Sequence, residues 1–549
     1  MIEKMVVFCK NTGTSKELHQ GLNLEQIKRL FKVKTDTQVL GALVNNKLQH
    51  LSYRVYEPKT IEFIEMRSAI GANIYARTLW MMAAKACHEV AGKRLWVRFP
   101  ISSGFYCTVE GGVTDEMVAL IKEKMMAYVH RKIDIELKRD LSSIVAEKFR
   151  NVDSMDVVKL IESTGKHYTQ YYELDGYFDF YPYVLAPNTD CISVFDVVKY
   201  ENGIMLVMPD ATNIKTTGAV AKRPLTFATH EEYYEWNSMM GLHSVGDMNE
   251  LVMNGGIKNM MKVAEALHEK KIASIAEAIK ERAPKFVLIA GPSSSGKTTF
   301  SKRLEVQLQV CGIRPQVLSL DNYFVERENT PKDEKGDYDF EDFKALDIDL
   351  LNDNLRRIMK GEDVEVPTYI FAEGKKKYLG NTVKLKEDQV LIMEGIHALN
   401  PDLLPDIPAD MVFKIYIAPM TAIAFDDHNW LPVADIRLIR RIVRDNNFRA
   451  YTAAMTIKRW PSVRKGEFKW IMPYQENADV MFNSALMYEL AVMKDHVEPL
   501  LRQVPETADE YVHARRLLDF LEFFKPVADK ELPPTSLLRE FLGGSSFHY

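Results

Sequence analysis

Apolar and polar positions repeat with different periods in different parts of this 549-residue chain. From Lys285 onward the apolar residues come in unbroken runs: KFVLIAG, PQVLSLD, QVLIMEG and MVFKIYIAP. Helically spaced stretches separate them, the pattern of parallel strands covered on both faces. The opening of the chain reads otherwise. Met5–Cys9 is a short apolar strand, Leu24–Phe31 has helical spacing, and VLGALVNNKLQHLSYRV alternates as a hairpin around Asn45-Asn46. Residues 66–225 mix an apolar helix (NIYARTLWMMAAKACHEV), a strand (RLWVRFPI), a turn (SSGFYCTVEGG), a charged helix over Asp115–Lys138 and the aromatic-rich YYELDGYFDFYPYVLAPNTD. Glu231–Arg282 is mostly helical and stops before Pro284. The pattern predicts a multidomain protein, α+β followed by α/β, with units at 1–65, 66–225, a helical connector at 226–283 and 284–549.

Composition adds few constraints. Apolar content of 46% and charged content of 27% are ordinary for a globular protein, and the net charge of −5 gives no global reason to bind nucleic acid. The five cysteines are scattered without a CxxC pair, which speaks against a disulfide framework or thiolate zinc site. The first apolar run is too short for a signal peptide, and no stretch has the length of a membrane span. A cytoplasmic protein without membrane contact is expected.

The chemistry concentrates at Gly291-Pro-Ser-Ser-Ser-Gly296-Lys297-Thr298, which fits G-x-x-x-x-G-K-[ST] between a buried strand and a helical stretch. Glycines let backbone N–H groups curl around phosphates, and the helix N-terminus adds a favourable dipole. Lys297 is placed to reach the β/γ-phosphates, and the Thr298 hydroxyl to ligate Mg²⁺. Gly291, Ser293, Ser294, Ser295, Gly296, Lys297, Thr298 and Thr299 are therefore the candidate triphosphate contacts.

Two acids stand at strand ends, where open α/β sheets collect ligands: Asp321 after PQVLSL and Glu394 after QVLIM. One can accept a hydroxyl proton and the other can hold the Mg²⁺ shell. Further on, ADIRLIRRIVRD puts Arg437, Arg440, Arg441 and Arg444 on one helix face, opposite an aliphatic stripe. That face is expected to be free either to close over a triphosphate or to stand as a solvated basic helix.

With GPSSSGKTT, SLDNYF, YDFED, VPTYIF, IMEGIHAL, RLIRRIVRD and ENADVMF in this order, the C-terminal part resembles the uridine kinase and phosphoribulokinase family. The resemblance implies Mg²⁺-dependent transfer from ATP or GTP to a sugar hydroxyl, the 5′-OH of a nucleoside. It implies Asp321 as catalytic carboxylate, with Lys297, Arg441 and Arg444 as its catalytic partners. It also implies Glu394 near the metal, Asp339 on the ribose, Tyr369 and Phe371 against the base, and the four arginines, Arg437 and Arg440 included, in a lid. Two positions depart from the pattern. The family's tyrosine three residues after the acid is Phe324 here, leaving Tyr323 as the hydroxyl-bearing candidate, and a base-reading histidine is replaced by Gly374 before a lysine run. The acceptor base is thereby left open between uridine or cytidine and other nucleosides.

Residues 1–65 resemble the TGS domain, a β-grasp module, on GLNLEQIKRLF and VLGALVNNKLQHLSYRV. Residues 66–225 resemble the editing-associated domain of threonyl-tRNA synthetases on NIYARTLWMMAAKA, FPISSGFYCTVEGG and YVLAPNTD. Ala76 and Trp80 fall at the places of that domain's metal-binding histidines, so the editing site reads as lost. A sensor, a dimerisation unit giving a homo-oligomer, or an RNA-binding remnant are the roles left for this half, the last by fold analogy alone. Beside the nucleoside kinase stand two other readings: a phosphoribulokinase-like phosphosugar kinase and a regulatory, RNA-associated NTP-binding protein.

Overall fold

The computed structural model describes residues 4–334, 336–386, 388–420 and 423–548. At the N-terminus a five-stranded sheet runs in the order Thr14–His19, Lys4–Cys9, Lys59–Glu65, Val39–Val44, Lys47–Gln49. Lys4–Cys9 and Lys59–Glu65 pair in parallel at its centre, and the other pairings are antiparallel. Helix Leu24–Phe31 buries Leu24, Ile27 and Phe31, and begins in a capping box between Asn23 and Gln26. The hairpin turns at Asn45-Asn46, both with positive φ (46° and 59°), the geometry of a tight two-residue loop.

The next unit centres on helix Ala69–Ala91, whose residues Ile74–Cys87 are buried without a break. A helix buried all round shows no amphipathic stripe. Around it lie a four-stranded antiparallel sheet formed by Leu95–Ile101, Gly104–Val109, Asp196–Tyr200 and Gly203–Val207, and a three-stranded sheet. The charged helix is shorter than its sequence suggests. It spans Asp115–Arg131, Lys132 turns left-handed (φ 53°), and Ile135–Leu141 forms a strand.

Helices Pro224–Met239, Val245–Met253 and Ile257–Arg282 follow. They are packed into what comes after them. The Tyr233 hydroxyl donates to the Asn483 carbonyl (2.7 Å), the Tyr488 hydroxyl to Glu265 (2.7 Å), and Arg303 pairs with Glu269 (2.7 Å).

The C-terminal sheet is wholly parallel, in the order Arg314–Ser319, Gln389–Glu394, Phe286–Ala290, Val412–Ala418, Val480–Asn483. The first strand in sequence is central, so successive crossovers leave it to opposite sides. The strand order reverses at the carboxyl ends of Phe286–Ala290 and its neighbours, where such sheets bind ligands. All residues of Phe286–Ala290 are buried, as a strand covered by helices on both faces requires.

A loop between Val412–Ala418 and helix Val433–Arg449 reaches away from this sheet into the second unit. Asp427 donates its N–H to Asp156 (2.8 Å) and accepts from the Val97 N–H (2.9 Å). Asn429 donates to the Phe180 carbonyl (2.9 Å), and His428 pairs with Asp179 (2.8 Å). One continuous hydrophobic cluster accordingly joins Val145–Phe180, Leu242–Ala264 and residues 423–541. Among the described residues no helix is long and apolar enough to cross a membrane.

Candidate active site

The loop after Phe286–Ala290 is shaped by close approach. A Cβ on Gly291 would lie 2.1 Å from the Ile417 carbonyl oxygen, so only glycine lets the chain turn here. Ser294 and Gly296 take positive φ (60° and 89°), and helix Lys297–Val310 starts immediately after. The hydroxyls of Ser294 and Ser295 are buried without partners, and the Lys297 ammonium leans on the Pro292 carbonyl at 3.4 Å.

The two strand-end acids converge on that lysine. Asp321 lies in the turn Leu320–Tyr323 after Arg314–Ser319, and Glu394 ends the adjacent strand, accepting from the Ser319 hydroxyl (3.1 Å). Burial raises the Asp321 pKa, opposed by Lys297, Arg449 and Arg444. Burial raises Glu394 as well, and the Asp321 charge adds to it while Lys297 opposes it. Two carboxyls sharing one cation in low dielectric form a pair that additional positive charge would stabilise.

A third acid belongs to the cluster. Glu341 is pushed up to about 7 by burial, against the pull of Arg441, Lys297 and Arg437, and its Oε2 has no partner. Asp339, expected on the ribose, accepts from the Glu341 N–H (3.1 Å) through one carboxylate oxygen and adds to the field on Lys465. The carboxyl that YDFED presents to the P-loop lysine is Glu341, two residues later.

The arginine helix corrects the expectation of a free face. Arg437 and Arg440 are fully buried behind the P-loop. Arg437 pairs with Glu467 (2.6 Å) and donates to the Ser293 carbonyl (2.9 Å). Arg440 forms a two-point pair with Glu489 (2.9 and 2.7 Å) and donates to the Ser484 carbonyl (2.8 Å). Fixed in this way they brace the loop and cannot swing over a ligand. Arg441 and Arg444 are anchored more lightly: Arg441 donates to the Ser293 hydroxyl (2.8 Å), and both pair with Asp445 (3.3 and 3.0 Å). Arg449, which sequence reasoning passed over, shares Asp445 (3.5 Å) and acts on Asp321.

Beside Asp321 stands an aromatic wall. Phe324 lies 5.7 Å from Tyr369 and 6.1 Å from Phe371, and Tyr369 lies 5.1 Å from Phe371. Phe324 and Tyr369 are buried, whereas Phe371 is 57% exposed. Tyr323 is not part of this wall. It is fully buried, and its hydroxyl accepts from Asn354 (3.0 Å) in the core. At Gly374 (φ 71°) the Arg327 side chain fills the place of a side chain: a Cβ there would lie 2.8–3.0 Å from its Cβ, Nε and Cζ. Arg327 also donates to the Phe371 carbonyl. In the following lysine run, Lys376 pairs with Asp347 and Lys377 with Glu373 (2.6 Å).

Residues 286–490 match the model of the phosphoribulokinase / uridine kinase family. A uridine kinase of Staphylococcus aureus (strain JH9) is 32% identical over 201 residues, which are 36% of this chain and 87% of the relative. The chain belongs to the phosphoribulokinase / uridine kinase family. Among solved structures, one described as a possible uridine kinase from Bacillus stearothermophilus is 20% identical and covers 39% of this chain and 97% of its own, with a TM-score of 0.27. A D-glycerate 3-kinase from Cryptococcus neoformans is 13% identical and covers 46% of this chain and 86% of its own, with a TM-score of 0.21. The family match stops at residue 490, well short of the C-terminal segment that packs on the P-loop. Ala76 and Trp80 of the N-terminal half are buried in an apolar cluster, and among the described residues no group of three His, Cys, Asp or Glu is placed to hold a metal.

Proposed function

We propose that the chain is a nucleoside kinase that moves the γ-phosphoryl group of ATP to the 5′-hydroxyl of a nucleoside, with uridine and cytidine the first candidates. The observation that supports this reading is that Asp321 feels the charge of Lys297 and shares its turn with Phe324 (N–H to the Asp321 carbonyl, 3.4 Å), which packs with Tyr369 and Phe371. A hydroxyl presented there has a base on one side and a triphosphate on the other. Asp321 takes the proton, the hydroxyl oxygen attacks the γ-phosphorus in line, and the bond to the β-bridging oxygen breaks with release of ADP. Lys297 neutralises the β/γ-phosphates, and Arg441 and Arg444 face the transferring group. Glu341, rather than Asp339, takes the ribose hydroxyls, while Tyr369 and Phe371 stack on the base.

Mg²⁺ fits the donor set beside the loop. The Thr298 hydroxyl and Glu394 carboxylate are hard oxygen ligands, and a cation would relieve the repulsion between Glu394 and Asp321. When bound, the ion supplies charge neutralisation on the phosphates. The phosphosugar alternative draws on the lysine run, but Lys376 and Lys377 are engaged in ion pairs.

For the N-terminal half we favour a TGS-like β-grasp followed by an editing-like unit without its metal site. The central parallel pair flanked by hairpins, with one helix across them, supports the first. The apolar surroundings of Ala76 and Trp80 support the second.

The decisive experiment is phosphotransfer from ATP and from GTP to a panel of nucleosides, with ribulose 5-phosphate and pantothenate as outgroups and Asp321→Asn as control. Nucleoside consumption that drops at least about 100-fold in the Asn variant, with ATP affinity retained, is the expected result. Turnover of the phosphosugar alone would overturn the acceptor assignment, and near-normal turnover by Asp321→Asn would overturn the role of the acid. Tight RNA binding without any turnover would favour the regulatory reading.

A further inference from the structure

The C-terminal segment folds back over the phosphate loop. Leu537 is fully buried against Gly296, where a Cβ would come within 3.0 Å of its Cδ2. Three residues later, one oxygen of Glu540 accepts from both the Thr299 N–H (3.2 Å) and the Thr299 hydroxyl (2.9 Å). Glu540 also adds to the negative field on Glu394. The segment is pinned from behind. Arg539 donates to the carbonyls of Asp529 (2.9 Å) and Leu532 (3.0 Å), the Arg440 guanidinium sits 5.3 Å from the Phe541 ring, and Asn447 donates to the Phe541 carbonyl (3.1 Å).

Thr299 is the third residue of helix Lys297–Val310. Its N–H is among the four that a helix cannot satisfy internally, and at the start of a P-loop helix these are the groups turned toward phosphates. A carboxylate and a phosphate oxygen are both acceptors and both anionic, so they cannot share one N–H. We propose that Leu537–Glu540 is an autoinhibitory strap: Glu540 holds the place of a donor phosphate on Thr299, and nucleotide enters only when the strap lifts. The inference rests on the P-loop as the donor site and is independent of the acceptor. Its consequence is quantitative, because apparent nucleotide affinity is reduced by the fraction of molecules with the strap open.

The test uses the full chain and its Glu540→Ala and Glu540→Gln variants. Calorimetric titration with MgATP and MgADP is combined with hydrogen exchange of residues 536–542, with and without nucleotide. The Ala variant should bind both nucleotides about tenfold more tightly, the Gln variant should fall between, and ATP should accelerate exchange in the wild-type strap. Unchanged or weaker affinity in both variants, or a strap that ATP protects, would overturn the proposal in favour of a helix cap or a ligand to the bound nucleotide. If the Ala variant is unstable, the isosteric Gln variant decides alone. Failure of all three forms to bind nucleotide would instead strike at the donor site itself.

Discussion

Along helix Val433–Arg449 the early and late arginines live in different electrostatic surroundings. Arg437 and Arg440 have no exposed surface and are tied to buried glutamates: Arg440 to Glu489, and Arg437 to Glu467, which also takes Arg464 (2.7 Å). Arg441, Arg444 and Arg449 share a single aspartate, Asp445, and their remaining charge reaches Asp321 and Glu341. Three cations on one anion leave a larger surplus of positive charge than Arg437, Arg440 and Arg464 on two. Residue type is the same in both sets, and Arg437/Arg440 and Arg441/Arg444 have the same i, i+3 spacing. What separates bracing from chemistry is the count of carboxylates each set meets.

The contrast should be sharpest in stability. Arg440→Met leaves Glu489 buried without a counter-charge, and should cost about 3–5 kcal/mol of unfolding free energy. Denaturant titration checks this, and adding Glu489→Leu should recover part of the loss. A loss below about 1 kcal/mol would erase the distinction drawn between the sets. Arg441→Met should do the reverse, leaving unfolding within about 1 kcal/mol of wild type while lowering kcat about 100-fold. An equal fall in stability and activity for both variants would mean that the helix acts as one structural unit.

A smaller effect concerns the acid these arginines face. The Glu341 pKa is raised from 4.5 to about 7 in the folded state, so the folded protein binds more protons there than the unfolded chain. Its contribution is fully present below pH 4.5 and is lost as pH rises through about 7, up to about 2 kcal/mol between pH 5 and 7. Comparing the pH dependence of unfolding in wild type and Glu341→Gln measures that slope. The same slope in both forms would show that the arginine field already holds Glu341 ionised in the fold.

Much of the nucleotide half could be read from the chain because its signals are local. Unbroken apolar runs gave the parallel strands, and the loop glycines and strand-end acids Asp321 and Glu394 fell where the sheet opens. The misreadings share one cause, a partner distant in sequence or a side chain turned by local geometry. Arg437 and Arg440 looked free because Glu467 and Glu489 lie 30 and 49 residues away. Tyr323 looked available until a 3₁₀ turn sent its hydroxyl to Asn354. Glu341 stands two residues from Asp339 in one short motif, and nothing in the spacing marks it as an acid buried in the field of Lys297. Glu540 meets Thr299 across 241 residues, a separation at which no periodicity speaks. In the N-terminal half the hairpin at Asn45-Asn46 was legible from its turn residues, whereas the end of the charged helix at Arg131 was not, since Lys132 takes a left-handed conformation without being glycine.

The loop carrying Asp427, His428 and Asn429 into the second unit separates two notions of a domain. By descent, the nucleotide-handling part is a portable module of about two hundred residues, since 201 residues align with a protein that is almost nothing else. By packing, the cut at residue 286 runs through a shared interior: Asp156, Asp179 and Phe180 complete the bonding of a loop that lies inside the matched region. The unit of inheritance and the unit of folding therefore differ in this molecule, and whatever joined the parts has since been sealed by buried charge.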